Sequence, residues 1–380
     1  MLACIRLVTK PCQNIRPASS NYLNYYIFGR FFGGGIVKLS RKIFTPQSCI
    51  MIVHGTVSWE KAKPFMKKVT GLDNKIIYEQ YHGECSYNEC HRIAEIIQEN
   101  EIDFVIGVGG GKLSDLVLYT SHLTGIPFGL VPTLASNCAA WTPLSVMYKD
   151  NGLAEGKTEH VKRQAAFLIM DPALVIDSPV KYFIAGIADT MAKWYESDLI
   201  LEQDKFSREP FPQLARYTAR MCKDTILNES MKAIEDMKNK TISDEFTHVS
   251  EIIIAISGLV GGLGDKYARN TAAHAIHDAI SAYIPEVHKY LHGEKVAYGV
   301  FYQLALEGKW KVIDELIPFY EKLNLPKSLT EMGVYPMPES LLKDIIQFVN
   351  SKQKVHLLPI EINENVLTEA LIKLENYINK

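Results

Sequence analysis

Asp189 in GIADTMAKWYES, His274 in NTAAHAIHDAIS and His292 in HKYLHGEKVAYG are the residues best placed to do chemistry in this chain. All three lie in segments that read as helix. One carboxylate and two imidazoles form a ligand set suited to a catalytic divalent cation that keeps an open coordination position. Taken singly, each is better read as an ordinary helix residue satisfied by hydrogen bonds. The set as a whole, beside the glycine loop that follows below, points to a metal centre. His277 stands one helical turn beyond His274 and shares its face, which makes it a candidate catalytic residue that lines the cleft, contacts substrate or relays a proton; a histidine that supports a ligand or is merely packed is the alternative.

The segment IDFVIGVGG runs into GGGKLSD, so Gly109, Gly110 and Gly111 fall where a strand turns into a helix. Glycine lets the backbone approach a phosphate closely, and the first N–H groups of the following helix favour its negative charge. The pattern is neither GxGxxG nor a Walker loop, so it reads as a diphosphate cradle of modest specificity. Lys112 either adds charge to that cradle or is a solvated first-turn lysine. Asp115 either belongs to it or complements the helix dipole. Farther on, VPTLASNCAAWTPLSVMY places Thr133, Ser136 and Thr142 in a loop at the carboxyl end of a sheet, where open α/β folds bind ligands. These hydroxyls are candidates for contacts to cofactor ribose or phosphate; the plain alternative is a polar turn.

The elements that must carry these groups follow from periodicity. Cys49 to Val53, Lys75 to Tyr81, Asp103 to Val108 and Pro127 to Val131 read as buried strands, with helices over 58–69, 86–100 and 112–124 between them. Ser86 followed by Glu89 fits a capping box, and Ile93, Ile96 and Ile97 supply an inward stripe. This βαβ series predicts a parallel sheet covered by helices. Two further strands, 144–148 and 167–170, precede Asp177-Ser178-Pro179. Beyond that point nearly everything reads as helix, including 182–201, 251–263, 270–283 and a run from Glu364. The expected fold is therefore an α/β N-terminal domain with a parallel Rossmann-like sheet, residues 1–178, and an all-helical domain, residues 179–380, with a cleft between them.

A length of 380 residues suits two domains, and 47% hydrophobic with 22% charged residues describes an ordinary globular chain. A formal net charge of −2 gives no electrostatic footprint for nucleic acid or anionic lipid. The longest apolar run, Ile252 to Leu263, is broken by glycines and shorter than the ~18 residues of a membrane span. Seven cysteines (Cys4, Cys12, Cys49, Cys85, Cys90, Cys138 and Cys222) without a CxxC pair suggest free thiols in a reducing compartment. From Met1 to Trp59 there is no acidic residue, a bias like that of a transit peptide. Pro11, Pro17 and the run Gly33 to Gly35 interrupt any amphipathic helix there, so a cytoplasmic location is the expectation.

GGGKLSD, PTLASNCAAWTPLSVMY, GIADTMAKWYES, NTAAHAIHDAIS and HGEKVAYG occur in an order and spacing that resemble the metal-dependent dehydrogenases typified by glycerol dehydrogenase, within the larger iron-containing alcohol dehydrogenase and dehydroquinate synthase-like superfamily. The resemblance runs from about Ile36 to near the C-terminus. It implies a dinucleotide-binding domain followed by a helical metal-binding domain, a small-molecule substrate, NAD(P) and a divalent metal as cofactors, and a homo-oligomer. It also implies that Asp189, His274 and His292 are the metal ligands and that Leu144 and Tyr148 join the glycine loop in the cofactor site. Lys193, four beyond Asp189, stands where iron-type alcohol dehydrogenases have a further histidine; this favours the three-ligand branch and Zn2+, with Fe2+ or Ni2+ as alternatives. Two departures bear on substrate and cofactor. Cys138 occupies the position of an acidic residue that helps glycerol dehydrogenases hold polyol hydroxyls, and CAAWTPLS looks like the hydroxycarboxylate dehydrogenase branch. Gly55 follows the first strand where NAD-preferring relatives tend to have an acid, so NADP is permitted and expected to be preferred. The function expected from the resemblance is reversible reduction of 2-oxo acids to 2-hydroxy acids. A polyol or simple alcohol dehydrogenase is the alternative, and a dehydroquinate synthase-type cyclase or a dinucleotide sensor stands further off.

Overall fold

The computed structural model describes residues 5–7, 25–28, 48–70, 74–161 and 164–380. Most of the basic segment 1–59, with Cys4, Cys12 and the Gly33–Gly35 run, lies outside the described residues. The chain forms two compact units: one runs through Pro179 and includes Asp236–Ile254, and the other comprises Val180–Glu235 and Ala255–Lys380.

In the first unit, β1 (Ile5–Leu7), β2 (Tyr25–Phe28), β3 (Cys49–His54), β4 (Lys75–Gln80), β5 (Phe104–Gly109), β6 (Phe128–Pro132) and β9 (Phe167–Met170) make a seven-stranded sheet in the order β1-β2-β9-β6-β5-β3-β4. Every pairing is parallel except β1 with β2. Strands such as CIMIVH and FVIGVG are buried along their whole length, as parallel strands covered on both faces must be. Ile50, Ile52, Ile106, Val108 and Val131 form the core with Ala62 and Met66 of α1 (Thr56–Thr70). The Phe104 and Phe167 rings stack at 5.6 Å. Ser86 caps α2 (Tyr87–Glu99) by accepting the Glu89 N–H at 3.2 Å, but the other half of the expected capping box is not made. The Glu89 carboxylate is instead turned to a bidentate, charge-assisted contact from Arg92 and to the His82 N–H.

The α3 helix (Gly111–Thr124) follows β5 directly. β7 (Leu144–Tyr148) leaves the main sheet and pairs antiparallel with β8 (Ala154–His160) in a hairpin of its own. β8 escapes a hydrophobic reading because AEGKTEH is almost wholly exposed and polar. After α4 (Pro172–Val175) the helices of the second unit begin.

These are α5 (Val180–Leu201), most of α6 (Pro210–Lys238), and, after α7 (Asp244–Glu251) and a π-helical turn at Ile252–Ile256, α8 (Ser257–Gly264), α9 (Ala272–Tyr283), α10 (His292–Leu306), α11 (Trp310–Leu323), α12 (Glu339–Ser351) and α13 (Glu364–Ile378). Asp236–Ile254 packs with the first unit, an excursion that a single cut after residue 178 does not include. The continuous helical stretch Asp244–Tyr267 is 24 residues long, longer than the apolar run read from the sequence, and an 18-residue window within it has a mean hydropathy of 1.6, long and apolar enough to cross a membrane. Of that window 61% is buried, as in a core helix. α10 is buried nearly all round through Val296, Tyr298, Phe301, Tyr302 and Leu304, which makes it the axis of the second unit.

Candidate metal centre and dinucleotide cradle

Two glycines let α10 touch its neighbours backbone to backbone. A Cβ on Gly293 would lie 1.8 Å from the carbonyl oxygen of Ala185 in α5, and one on Gly299 would lie 2.2 Å from that of Ala273 in α9. Ala185 is one turn before Asp189, Ala273 adjoins His274, and Gly293 adjoins His292. The contacts that only glycine permits thus draw together the three turns that carry the candidate ligands. Among the described residues, Asp189, His274 and His292 form the one group of its kind, with ligand atoms all within 4.8 Å of one another. Nε2 of His274 and Nε2 of His292 each lie 3.3 Å from Oδ1 of Asp189. That oxygen is buried without a hydrogen-bond partner, an arrangement that a cation held between it and the two imidazoles would complete. Burial alone would raise the Asp189 pKa, yet Lys193 and the two histidines overcome it and hold the carboxyl well below the ordinary range. Lys193 is itself buried, one helical turn beyond Asp189, and supplies positive charge there.

His274 is held from behind. Glu196, 1% exposed, accepts its Nδ1–H at 2.6 Å and, through the other carboxylate oxygen, its backbone N–H at 2.9 Å and that of Thr271 at 2.7 Å. Gln303 accepts from the Ala272 and Ala273 N–H groups and from the Thr271 hydroxyl. The first turn of α9, which has no side-chain cap of its own, is therefore satisfied from α5 and α10. With Glu196 ionised, the proton sits on Nδ1 and the Nε2 lone pair is left for a metal. Burial opposes charge on His274, but Glu196 and Asp189 outweigh it and push its pKa up to about 9, so a metal binding at Nε2 would have to displace a proton there. His277 is brought to the same cluster: its Nε2 is 3.1 Å from Nδ1 of His292.

In the first unit, Gly110 is the N-cap of α3 and offers no side-chain cap, leaving the opening N–H groups of the helix for an anion. None of the three glycines needs a left-handed backbone. Their requirement is spatial: a Cβ on Gly109 would meet Leu113 at 2.9 Å, and one on Gly111 would meet Asn137 at 2.6 Å. The loop 133–142 thus packs onto the cradle, and the buried Thr133 ties it down by donating its N–H to the Gly109 carbonyl at 3.0 Å. Ser136 and Cys138 are half-buried in this loop, while the Thr142 hydroxyl donates to the Cys138 carbonyl at 2.8 Å. Lys112 is paired: its ammonium lies 2.6 Å from Glu84 and 4.7 Å above the Tyr148 ring. Asp115 is buried on α3, its carboxyl pushed well above the usual range by burial, while Ser145 of β7 donates to its backbone carbonyl. Leu144 is half-buried at the start of the same strand. Gly55 begins the turn into α1, where a Cβ would meet the Tyr81 ring at 3.0 Å and the Ser58 hydroxyl at 3.1 Å.

The model of the family described as iron-containing alcohol dehydrogenase matches residues 27–172. Hydroxycarboxylate dehydrogenase A of Escherichia coli K12 is 36% identical over 302 residues, 78% of this chain and 81% of that protein. The chain belongs to the iron-containing alcohol dehydrogenase family. A glycerol dehydrogenase of Thermotoga maritima is 31% identical over 303 residues, 78% of this chain and 81% of that protein. The crystal structure of glycerol dehydrogenase from Schizosaccharomyces pombe superposes with a TM-score of 0.82 at 26% identity, covering 93% of this chain and 89% of that one. The protein is accordingly a dehydrogenase acting on alcohol or hydroxy groups, in a family where metal and NAD binding are typical.

For a member of this family, both donor sets fit their groups: the unpaired Asp189 oxygen faces two imidazole nitrogens, and the uncapped α3 N-terminus lies beneath a loop packed against glycine. Glu196 and Gln303 are the site residues that motif reading passed over. Glu196 had a signal, since it stands seven residues after Asp189 and so lies on the same face of an otherwise apolar helix. Gln303 had none.

Proposed function

We propose that the protein is a metal-dependent, NAD(P)-linked oxidoreductase that reversibly reduces 2-oxo acids to 2-hydroxy acids. Asp189, His274 and His292 would hold a divalent metal, with Zn2+ the ion that suits three ligands of this kind. Such a metal supplies Lewis acidity to a carbonyl or alkoxide oxygen, and a bound nicotinamide dinucleotide supplies or receives the hydride. Glu196 keeps the His274 proton on Nδ1, and the close approach of α10 to α5 and α9 brings both imidazoles to Asp189 before substrate arrives. Gly109 to Gly111 and the N–H groups opening α3 would hold the diphosphate, with Thr133, Ser136 and Thr142 on the loop above them. Gly55 brings no carboxylate to repel a 2′-phosphate, which supports acceptance of NADP.

The substrate class rests on one observation. Cys138 places a thiol, not a carboxylate, in the loop where glycerol dehydrogenases carry an acid for polyol hydroxyls. A carboxylate there would repel an anionic substrate, and its absence favours one. The identity to hydroxycarboxylate dehydrogenase A supports the same reading, whereas the glycerol dehydrogenase relatives favour polyol oxidation. The deciding experiment follows NADPH and NADH consumption by zinc-loaded protein with 2-oxobutanoate and 2-oxoglutarate, beside NAD(P)-linked oxidation of glycerol and 1,2-propanediol. Reduction of the oxo acids is the expected result. Polyol oxidation alone would overturn it and return the chain to the glycerol dehydrogenases.

A further inference from the structure

The two imidazoles of the cluster are supported in different ways. His274 leans directly on the Glu196 carboxylate, but no carboxylate touches Nδ1 of His292. Its partner is Nε2 of His277 at 3.1 Å; Nδ1 of His277 lies 3.0 Å from Oδ1 of Asp278; and Oδ2 of Asp278 lies 2.7 Å from Nζ of Lys354. Direction along this chain is set from its far end. Lys354 can only donate and an ionised Asp278 can only accept, so the His277 proton sits on Nδ1. The Nε2 lone pair of His277 then accepts Nδ1–H from His292, which leaves the Nε2 lone pair of His292 aimed at the cluster. Burial works against the Asp278 charge, but His277 and Lys354 outweigh it and hold the carboxyl far below the usual range. His277 is 8% exposed, whereas the His292 side chain is 47% exposed, and the His277 ring lies closest against it of the two neighbouring imidazoles, at 4.4 Å between centroids against 5.4 Å for His274.

Resting on the metal-site reading above, we propose that His277, Asp278 and Lys354 are positioning residues for the metal, a hydrogen-bonded chain that selects the tautomer and ring orientation of His292 from a segment 62 residues beyond it in sequence. Partners of this kind usually account for about 10–100-fold in metal affinity.

The test uses the full-length protein, stripped and refilled with Zn2+ for affinity by chelator competition and with Co2+ for its visible d–d spectrum. His277→Leu should weaken Zn2+ binding by roughly 10–100-fold and change the Co2+ band pattern. His277→Gln keeps an acceptor oxygen within reach of His292 Nδ1 and should recover most of the affinity and the wild-type spectrum. Asp278→Ala should fall between the two, and Lys354→Met should have the smallest effect. Dinucleotide binding, measured on the same samples, reports on folding of the variants. Wild-type Zn2+ affinity and an unchanged Co2+ spectrum in both His277→Leu and Asp278→Ala would overturn the proposal. Equal losses in His277→Leu and His277→Gln would also overturn it, because they would mark the site as mere packing. Failure of the underlying metal-site reading has a different signature: Zn2+ retention by His274→Ala.

Discussion

Replacing Glu196 by Gln changes one atom of a buried carboxylate, and the structure specifies what that atom must do. One carboxylate oxygen accepts two backbone N–H groups, from Thr271 at 2.7 Å and His274 at 2.9 Å, and the other accepts Nδ1–H of His274 at 2.6 Å. Glutamine has one acceptor and one donor end. The backbone pair claims the carbonyl, since two amide N–H groups cannot turn away, and the amide NH2 is left facing Nδ1. His274 can answer only by moving its proton to Nε2, the atom that a metal needs. A hydrogen bond to a charged group contributes about 1.5–3 kcal/mol, which converts to roughly 10- to 150-fold in metal affinity at about 1.4 kcal/mol per tenfold. The assay is Zn2+ competition against a chromophoric chelator at pH 7.5, with turnover measured at saturating Zn2+. Affinity should fall by that factor while dinucleotide binding is retained. Removing the metal from the wild type with chelator should abolish turnover, and readdition should restore it. A Glu196→Gln protein that binds Zn2+ as tightly as wild type would refute the tautomer argument, because no other group touches Nδ1.

Cys138→Asp should raise activity on polyols relative to 2-oxo acids, read as the ratio of kcat/KM values; an unchanged ratio would separate Cys138 from substrate choice. Gly293→Ala must part α10 from α5, since its Cβ would fall 1.8 Å from the Ala185 carbonyl. Overpacking of this kind costs about 1–3 kcal/mol or more, to be read from urea unfolding, and Zn2+ affinity should fall with it because His292 is the preceding residue. Glu89 offers a pH test away from the site. Burial would raise its pKa, but Arg92 and His82 outweigh that and lower it. A carboxyl depressed in the folded state stabilises above its unfolded pKa, about 4.3, and the benefit is lost as pH falls through the folded value. The wild type should therefore exceed Glu89→Gln in unfolding free energy at pH 7, and the gap should shrink progressively as pH falls below the unfolded value of about 4.3; a gap that stays constant on acidification would contradict this.

The parts of the fold legible in the sequence are those fixed by local pattern. Buried strands such as CIMIVH announce a doubly covered sheet, and the glycines after FVIGV announce its turn into α3. What stayed hidden depends on partners distant along the chain. Lys112 looks like a free cation until Glu84, 28 residues earlier, arrives at 2.6 Å. Glu89 looks like half of a capping box until Arg92, with Glu79 on its other side, claims it. The candidate metal site divides along the same line. Its ligands are legible by type, and so is the short reach of His277 from His274. The order in which protons lie along two supporting chains is not, because it is decided by Glu196, Asp278 and Lys354 only after α5, α9 and α10 have met. The segment HGEKVAYG nonetheless holds the reason that they meet. Its two glycines, six residues apart, mark the two places where α10 must approach another backbone, and each lies against a turn bearing a ligand. A side chain at either position would separate candidate ligands that are now within 4.8 Å of one another, so those glycines belong to the candidate metal site as much as the histidine beside them.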